Sequence, residues 1–363
     1  MLDWDLAMLL FIIVAAWLLL HRFLKGPGLR AYDQPVESRP GLRDAASADH
    51  EEAVRLLEQA ATEIRSASLK QRLTAIRRVM ERGFLDAALV NASEYRIEET
   101  SAGGVAGEWV LAPQSDPNRR VLYLHGGAFV SGCPRGHRMI TTRLARATGA
   151  AVLALDYRLM PEHTRRDMIA DCQAGYRWIL DHGPDGPAPV RELFVAGDSA
   201  GGNLALMLIA WARDAGLHAA NGAMALSPTV DMTLSSPTFK SNRKTDLMLG
   251  PGLGRFLRLP KTVYLLLTWG WSRMVPSNPL ISPVFGDLSR LPSVLVQASE
   301  AEMMLGDARR YVNKARAAKS SAELETWPGM LHVWHIFEPI LPEAREAFDR
   351  IGQFVERCTA RQG

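Results

Sequence analysis

The spacing of apolar residues changes several times along the chain. Residues 6–20 form an unbroken apolar run, LAMLLFIIVAAWLLL, with Trp4 before it and His21 and Arg22 after it. A membrane-spanning helix needs about 20 residues. The run reaches that length if Leu2, Phe23 and Leu24 join it, with Asp3 and Asp5 at one interface and Arg22 and Lys25 at the other. A cleaved secretory signal expects a basic start and a small-residue cleavage site after its apolar core. Here the start is acidic and HRFLK follows the core, so residues 1–24 read as an uncleaved anchor. Its positive charge lies on the C-terminal side, which by the positive-inside rule places the rest of the chain in the cytoplasm. The expectation is a single-pass membrane protein with the rest of its chain inside.

Residues 25–48 mix Gly, Pro and charge and read as a linker. Helical spacing follows twice, first at Ala53, Leu56, Leu57, Ala60, Ala61 and Ile64, then at Leu69, Leu73, Ile76 and Met80. A hairpin is expected about the turn Ala102-Gly103-Gly104, with strands at 94–100 and 105–111. Short apolar runs then alternate with helical stretches, at residues 121–124, 151–155, 193–196, 222–226, 294–296 and 324–327. Strands covered by helices on both faces have this pattern, so the fold class is α/β with a mostly parallel, doubly wound sheet. Residues 231–280 break the rhythm and are more apolar than polar over 263–271. Lying between two expected sheet strands, they read as a cap insertion. Residues 49–363 thus form one domain, capped by about 49–92 and 231–280.

Composition narrows the partners. Charge is balanced at +3 with no dense Lys/Arg tract, which gives no electrostatic case for nucleic acid. Cys133, Cys172 and Cys358 are few and far apart, so neither a disulfide framework nor metal-ligand spacing follows.

The chemistry begins at Gly197-Asp198-Ser199-Ala200-Gly201-Gly202. Gly-x-Ser-x-Gly alone arises by chance in about one chain in eight of this length. Its context is what carries weight. A strand pattern ends directly before it and a helical stretch, 203–212, begins directly after it. Strand, sharp turn and helix make a nucleophile elbow, which lifts a serine hydroxyl above the sheet with a helix N-terminus beneath it. Ser199 is therefore the expected nucleophile. His125-Gly126-Gly127-Ala128-Phe129 follows the strand at 121–124. Paired glycines let main-chain N–H groups approach a developing oxyanion, each donor lowering the barrier by about 3 kcal/mol. The expected donors are Gly126, Gly127 and Ala200, with His125 bracing the loop.

HGGAF and GDSAGG, in this order, resemble the hormone-sensitive-lipase-like branch of the α/β-hydrolases. Further matches are DYRLMPEH at 156–163, LPSVLVQ at 291–297 and WPGMLHVWH at 327–335. The resemblance runs from about residue 50 to about 356. It departs at Ala128, where the family usually has a third Gly, and at Thr164-Arg165-Arg166, where it usually has Pro-Phe-Pro. The resemblance implies His332 as general base, with His335 the alternative. The acid has three candidates, Glu300, Glu302 and Asp307; measured from Pro292, the family pattern points to Glu302. It further implies a cofactor-free and metal-free carboxylesterase or lipase acting through an acyl-enzyme on uncharged, lipophilic small-molecule esters. The alternatives are lipase or deacetylase action on larger lipid or sterol esters, and a ligand-binding protein that has lost catalysis.

Overall fold

The computed structural model describes residues 4–43, 45–84 and 92–360. Leu2 and Asp3 of the expected anchor, residues 85–91 of the expected cap and residues 361–363 lie outside the described residues. In chain order the strands are β1 (Ser38–Pro40), β2 (Arg96–Ala102), β3 (Val105–Leu111), β4 (Asp116–Leu124), β5 (Ala150–Leu155), β6 (His182–Gly183), β7 (Gly186–Pro187), β8 (Glu192–Asp198), β9 (Gly222–Leu226), β10 (Ser293–Ser299) and β11 (Ala322–Trp327). The helices are α1 (Trp4–Lys25), α2 (His50–Ser66), α3 (Arg72–Arg82), α4 (Arg138–Thr148), α5 (Arg165–Asp181), α6 (Ala200–Asp214), α7 (Thr238–Ser241), α8 (Gly250–Phe256), α9 (Lys261–Ser272), α10 (Leu305–Ala317) and α11 (Pro342–Ala360).

Nine strands form one sheet in the order β1-β11-β10-β9-β8-β4-β5-β3-β2. From β1 to β5 every pairing is parallel, while β3 runs antiparallel to β5 and β2 to β3. β6 and β7 make a separate two-residue ladder. This is the α/β hydrolase architecture that the alternating runs predict. Successive residues along a strand face opposite sides, and the core divides accordingly. Leu122, Leu124, Leu193 and Val195 pack beneath α5, α6 and α10. Val121, Tyr123, Phe194 and Ala196 pack against α2, α4 and α11. Burial on both faces explains why these strands read as continuous apolar runs.

The segment read as a linker contains β1, which pairs with β11 at the sheet edge. Three residues ending in proline leave no alternation to detect, and proline is tolerated at an edge. A third apolar cluster lies apart from the sheet. It joins Leu24 at the end of α1 to Tyr264 and Leu265 of α9, to Leu234 and Phe239, and to Met303 and Met304.

Candidate active site

Four parallel strands, β11 and β10 on one side of β9 and β8 and β4 on the other, deliver the site at their C-terminal ends, the usual place for ligand chemistry in such a sheet. Ser199 stands between β8 and α6 with φ 51° and ψ −113°, outside the regions an ordinary residue prefers. The turn is enforced by crowding: a Cβ at Gly197 would strike the Gly201 carbonyl, and a Cβ at Gly201 would strike that of Leu124. Only glycine fits on either side, and the serine between them takes up the strain.

The structure brings Ser199, His332 and Glu302 together. His332 Nε2 lies 2.9 Å from Ser199 Oγ, and its Nδ1 lies 2.6 Å from Glu302 Oε2. An ionised carboxylate only accepts, so Nδ1 carries the proton and Nε2 is free to accept from the serine hydroxyl. Glu302 Oε1 accepts from the Ser299 N–H at 2.9 Å, which fixes the carboxylate plane. The loop bearing His332 is pinned twice. Ser299 Oγ donates to Met330 O at 2.6 Å, and Val333 N–H donates to Ser227 Oγ at 3.1 Å.

The site is almost dry: Ser199 alone is partly exposed, while His332 and Glu302 are buried. Burial raises the Glu302 pKa, and its hydrogen bond to His332 only partly offsets this. Burial opposes charge on His332 too, but the hydrogen bond and charge of Glu302 outweigh it. The imidazole pKa is raised above its ordinary 6.5.

The other candidates have other partners. Asp307 Oδ2 accepts from the backbone N–H groups of Val230 at 2.9 Å and Asp231 at 3.1 Å. Burial, with the charge of Asp231, pushes this carboxyl up to about 8. Glu300 Oε1 accepts from Thr326 Oγ1 at 3.1 Å. His335 Nε2 lies 2.8 Å from Gln297 Oε1, and burial drives its pKa down to about 3, as for a neutral core imidazole.

Gly126 requires a correction. It is expected as an oxyanion donor, yet its N–H donates to Asp198 Oδ1 at 2.8 Å. The same oxygen accepts from Tyr123 Oη at 2.5 Å. A buried N–H satisfied by a carboxylate is not available to a substrate. Gly127, at φ 116°, and Ala128, at φ 54°, continue the loop in left-handed backbone geometry. Among the described residues the N–H groups of Gly127, Ala128 and Ala200 meet no protein acceptor. His125 stacks on Tyr157 with ring centres 4.2 Å apart, and Tyr157 Oη donates to its carbonyl at 2.5 Å. Burial lowers the His125 pKa to about 3, so the ring is a neutral brace.

Sequence reasoning passed over Asp198, although it sits inside the serine motif. It also passed over a clasp on the Glu302 loop from the segment around α7. Asn242 Nδ2 donates to the carbonyls of Glu300 and Glu302, at 2.8 and 3.0 Å. Thr245 Oγ1 donates to Ala301 O at 2.8 Å, and Asp246 Oδ2 accepts from Met303 N–H at 2.8 Å. No regular spacing announces these contacts, because they arise between two irregular segments. Among the described residues no cluster of three or more His, Cys, Asp or Glu could hold a metal ion.

The α/β hydrolase fold family matches residues 121–336. An acetyl-hydrolase of Streptomyces hygroscopicus is 36% identical over 259 residues, covering 71% of this chain and 82% of the relative. The carboxylesterase/phospholipase LipF of Mycobacterium tuberculosis is 34% identical over 250 residues, covering 67% of this chain and 63% of the relative. The crystal structure of an esterase from the bacterial hormone-sensitive lipase family superimposes with a TM-score of 0.73 at 32% identity, covering 86% of this chain and 99% of that one. With a strained serine beside a buried imidazole on this sheet, these likenesses place the chain in the hormone-sensitive-lipase family of α/β-hydrolases, as a serine ester hydrolase of the carboxylesterase/lipase type.

Proposed function

We propose that the chain hydrolyses uncharged, lipophilic carboxylic esters through an acyl-enzyme formed on Ser199. His332 takes the serine proton as Oγ attacks the ester carbonyl, then gives it to the leaving alcohol. A water deprotonated by the same imidazole releases the acid. Glu302 holds the Nδ1–H tautomer and stabilises the imidazolium. The oxyanion is received by the N–H groups of Gly127 and Ala200, joined by Ala128 in place of Gly126. The observation that carries this reading is the continuous pair of hydrogen bonds from Ser199 Oγ to His332 Nε2 and from His332 Nδ1 to Glu302 Oε2. All three positions carry competent groups, which disfavours a binding-only role. Lipase action on a larger lipid ester is the second reading. It is favoured by the apolar cap at residues 231–280 and by the name of the LipF relative.

We infer also that α1 is a retained single-pass anchor with the catalytic domain on the cytoplasmic side. Its 22 residues extend about 33 Å, enough to cross a hydrocarbon core of about 30 Å. Leu24 is fully buried in the cap cluster, and His21 Nδ1 lies 2.9 Å from Thr262 Oγ1. A cleaved leader is not needed for packing; this helix end is.

The test is hydrolysis of p-nitrophenyl esters from acetate to palmitate by the full chain and by Ser199→Ala. The expected result is turnover by the full chain alone, with a chain-length optimum that separates esterase from lipase. Equal turnover by Ser199→Ala would overturn the reading.

A further inference from the structure

Helix α9 is inside out for a helix that faces water. Its hydroxyl residues point inward. Thr268, 8% exposed, donates to Tyr264 O at 3.0 Å, and Ser272 donates to Thr268 O at 2.7 Å. Tyr264 and Leu265 also pack inward, but most of its large apolar residues point outward. Val263, Leu266, Leu267 and Trp271 recur at i, i+3, i+4 and i+8, so they share one face. Leu267 is 47% exposed and Trp271 57%, with Trp269 beside them. A contiguous exposed apolar face of this kind marks an interaction surface.

What covers it is indicated by α1. Leu20 and Leu24 pack in one cluster with Tyr264 and Leu265 on the inner side of α9. The stripe on α9 therefore begins where α1 leaves the domain, and α1 is itself apolar and exposed at Met8–Val14 and Trp17–Leu19. A span that ends on α9 holds that helix at the edge of the bilayer. Tryptophans such as Trp269 and Trp271 favour that depth. An open cavity of about 580 Å³ at the same junction is lined by His21, Arg22, Lys25 and Gly26–Gly28, which sets cationic side chains where lipid phosphates lie.

We propose that the outward face of α9 is embedded in the headgroup–acyl boundary of the membrane that α1 spans, so that cap and anchor form one lipid-contacting surface. This rests on reading α1 as a retained span, and it deepens the proposed function by naming the source of substrate. The cap that touches lipid also clasps the Glu302 loop through Asn242, Thr245 and Asp246. Tyr264 and Leu265 of α9 also share a cluster with Met303 and Met304, so the lipid-bound helix borders the segment that carries the acid. Interfacial helices of this type bind by buried apolar area together with attraction to anionic lipid.

The test places an environment-sensitive fluorophore on Leu267→Cys in the full chain, reconstituted in phosphatidylcholine/phosphatidylglycerol vesicles. Leu69→Cys, at a position 80% exposed between α2 and α3, is the control, and signal from the parent chain's Cys133 is subtracted. The expected result is several-fold protection of the 267 label from aqueous iodide relative to the 69 label, with strong quenching by lipids carrying a shallow nitroxide. Iodide quenching equal to that at 69 would overturn the proposal. Protection from iodide without quenching by nitroxide lipid would overturn it too, since a second copy or another protein would then be the cover. Leu267→Glu adds a functional arm. It is expected to keep the p-nitrophenyl acetate rate and to lose at least about tenfold on an ester dissolved in vesicles. Equal rates on both substrates would count against the proposal. A labelled chain that sits in lipid but hydrolyses neither ester would refute the ester-hydrolase reading and leave this one standing.

Discussion

The Ser199 corner and helix α9 are both apolar-rich, but they are organised in opposite senses. At the corner, polar groups turn inward and each is matched: Ser199 with His332, His332 with Glu302, Glu302 with the Ser299 N–H. On α9, Thr268 and Ser272 also turn inward and satisfy the backbone of their own helix, while Val263, Leu266, Leu267 and Trp271 turn outward. The first arrangement concentrates charge in a place largely screened from water, where hydrogen bonds are strong. The second presents hydrocarbon to the surroundings. One region is built to do chemistry and the other to meet a phase that is not water, and the contrast assigns each its own set of sensitive substitutions.

The largest effect is expected at the corner. Ser199→Ala should lower kcat by at least about 10⁴-fold with the fold intact by circular dichroism. Substantial residual turnover would move the nucleophile elsewhere. Glu302→Gln should lower kcat by about 10³-fold and also change the pH profile. Turnover requires neutral His332, whose pKa is raised above 6.5 by Glu302 against the opposing effect of burial. The acid limb of kcat/KM should therefore lie above 6.5 in the parent chain. Removing the anion leaves burial unopposed, so the limb should move to lower pH in Glu302→Gln; a shift upward would contradict the pairing. Asp307→Asn should leave kcat nearly unchanged, because that carboxyl serves the Val230 and Asp231 N–H groups.

An intermediate effect is expected where the corner depends on its support. Asp198→Ala releases the Gly126 N–H and the Tyr123 hydroxyl, and the loop that carries Gly127 and Ala128 loses its anchor. A fall of about 10²-fold in kcat with little change in KM would mark displaced oxyanion donors. A rise in KM with kcat unchanged would not. The smallest effect is expected on the outward face of α9. Leu266→Lys should change hydrolysis of p-nitrophenyl acetate by less than about twofold, as surface substitutions remote from a site do. A larger loss on this soluble substrate would mean that the outward face of α9 belongs to the chemistry after all.

Much of the corner was legible in the sequence, because elbow and loop chemistry demand particular residues at fixed spacing. Gly197 and Gly201 are glycines for steric reasons that any such elbow shares, and the apolar runs fix β4, β8, β10 and β11. The misreading of Gly126 has a tertiary cause. Nothing in the spacing of His125-Gly126-Gly127 says which N–H will face the Asp198 carboxylate, a partner 72 positions away. β1 escaped notice because pairing with β11, rather than its own pattern, makes it a strand. The clasp of Asn242, Thr245 and Asp246 was equally hidden, since irregular segments carry no period. The apolar excess of residues 263–271 was plain in the sequence. Its direction was not, because Leu265 and Leu267 are the same residue type and only packing shows the first buried and the second exposed.

The most direct test of the central claim is to treat the full chain with a fluorophosphonate and map the adduct by peptide mass spectrometry. The account predicts one adduct, on Ser199, lost in Ser199→Ala and formed far more slowly in His332→Ala. An adduct on any other residue, or labelling that persists in Ser199→Ala, would contradict it.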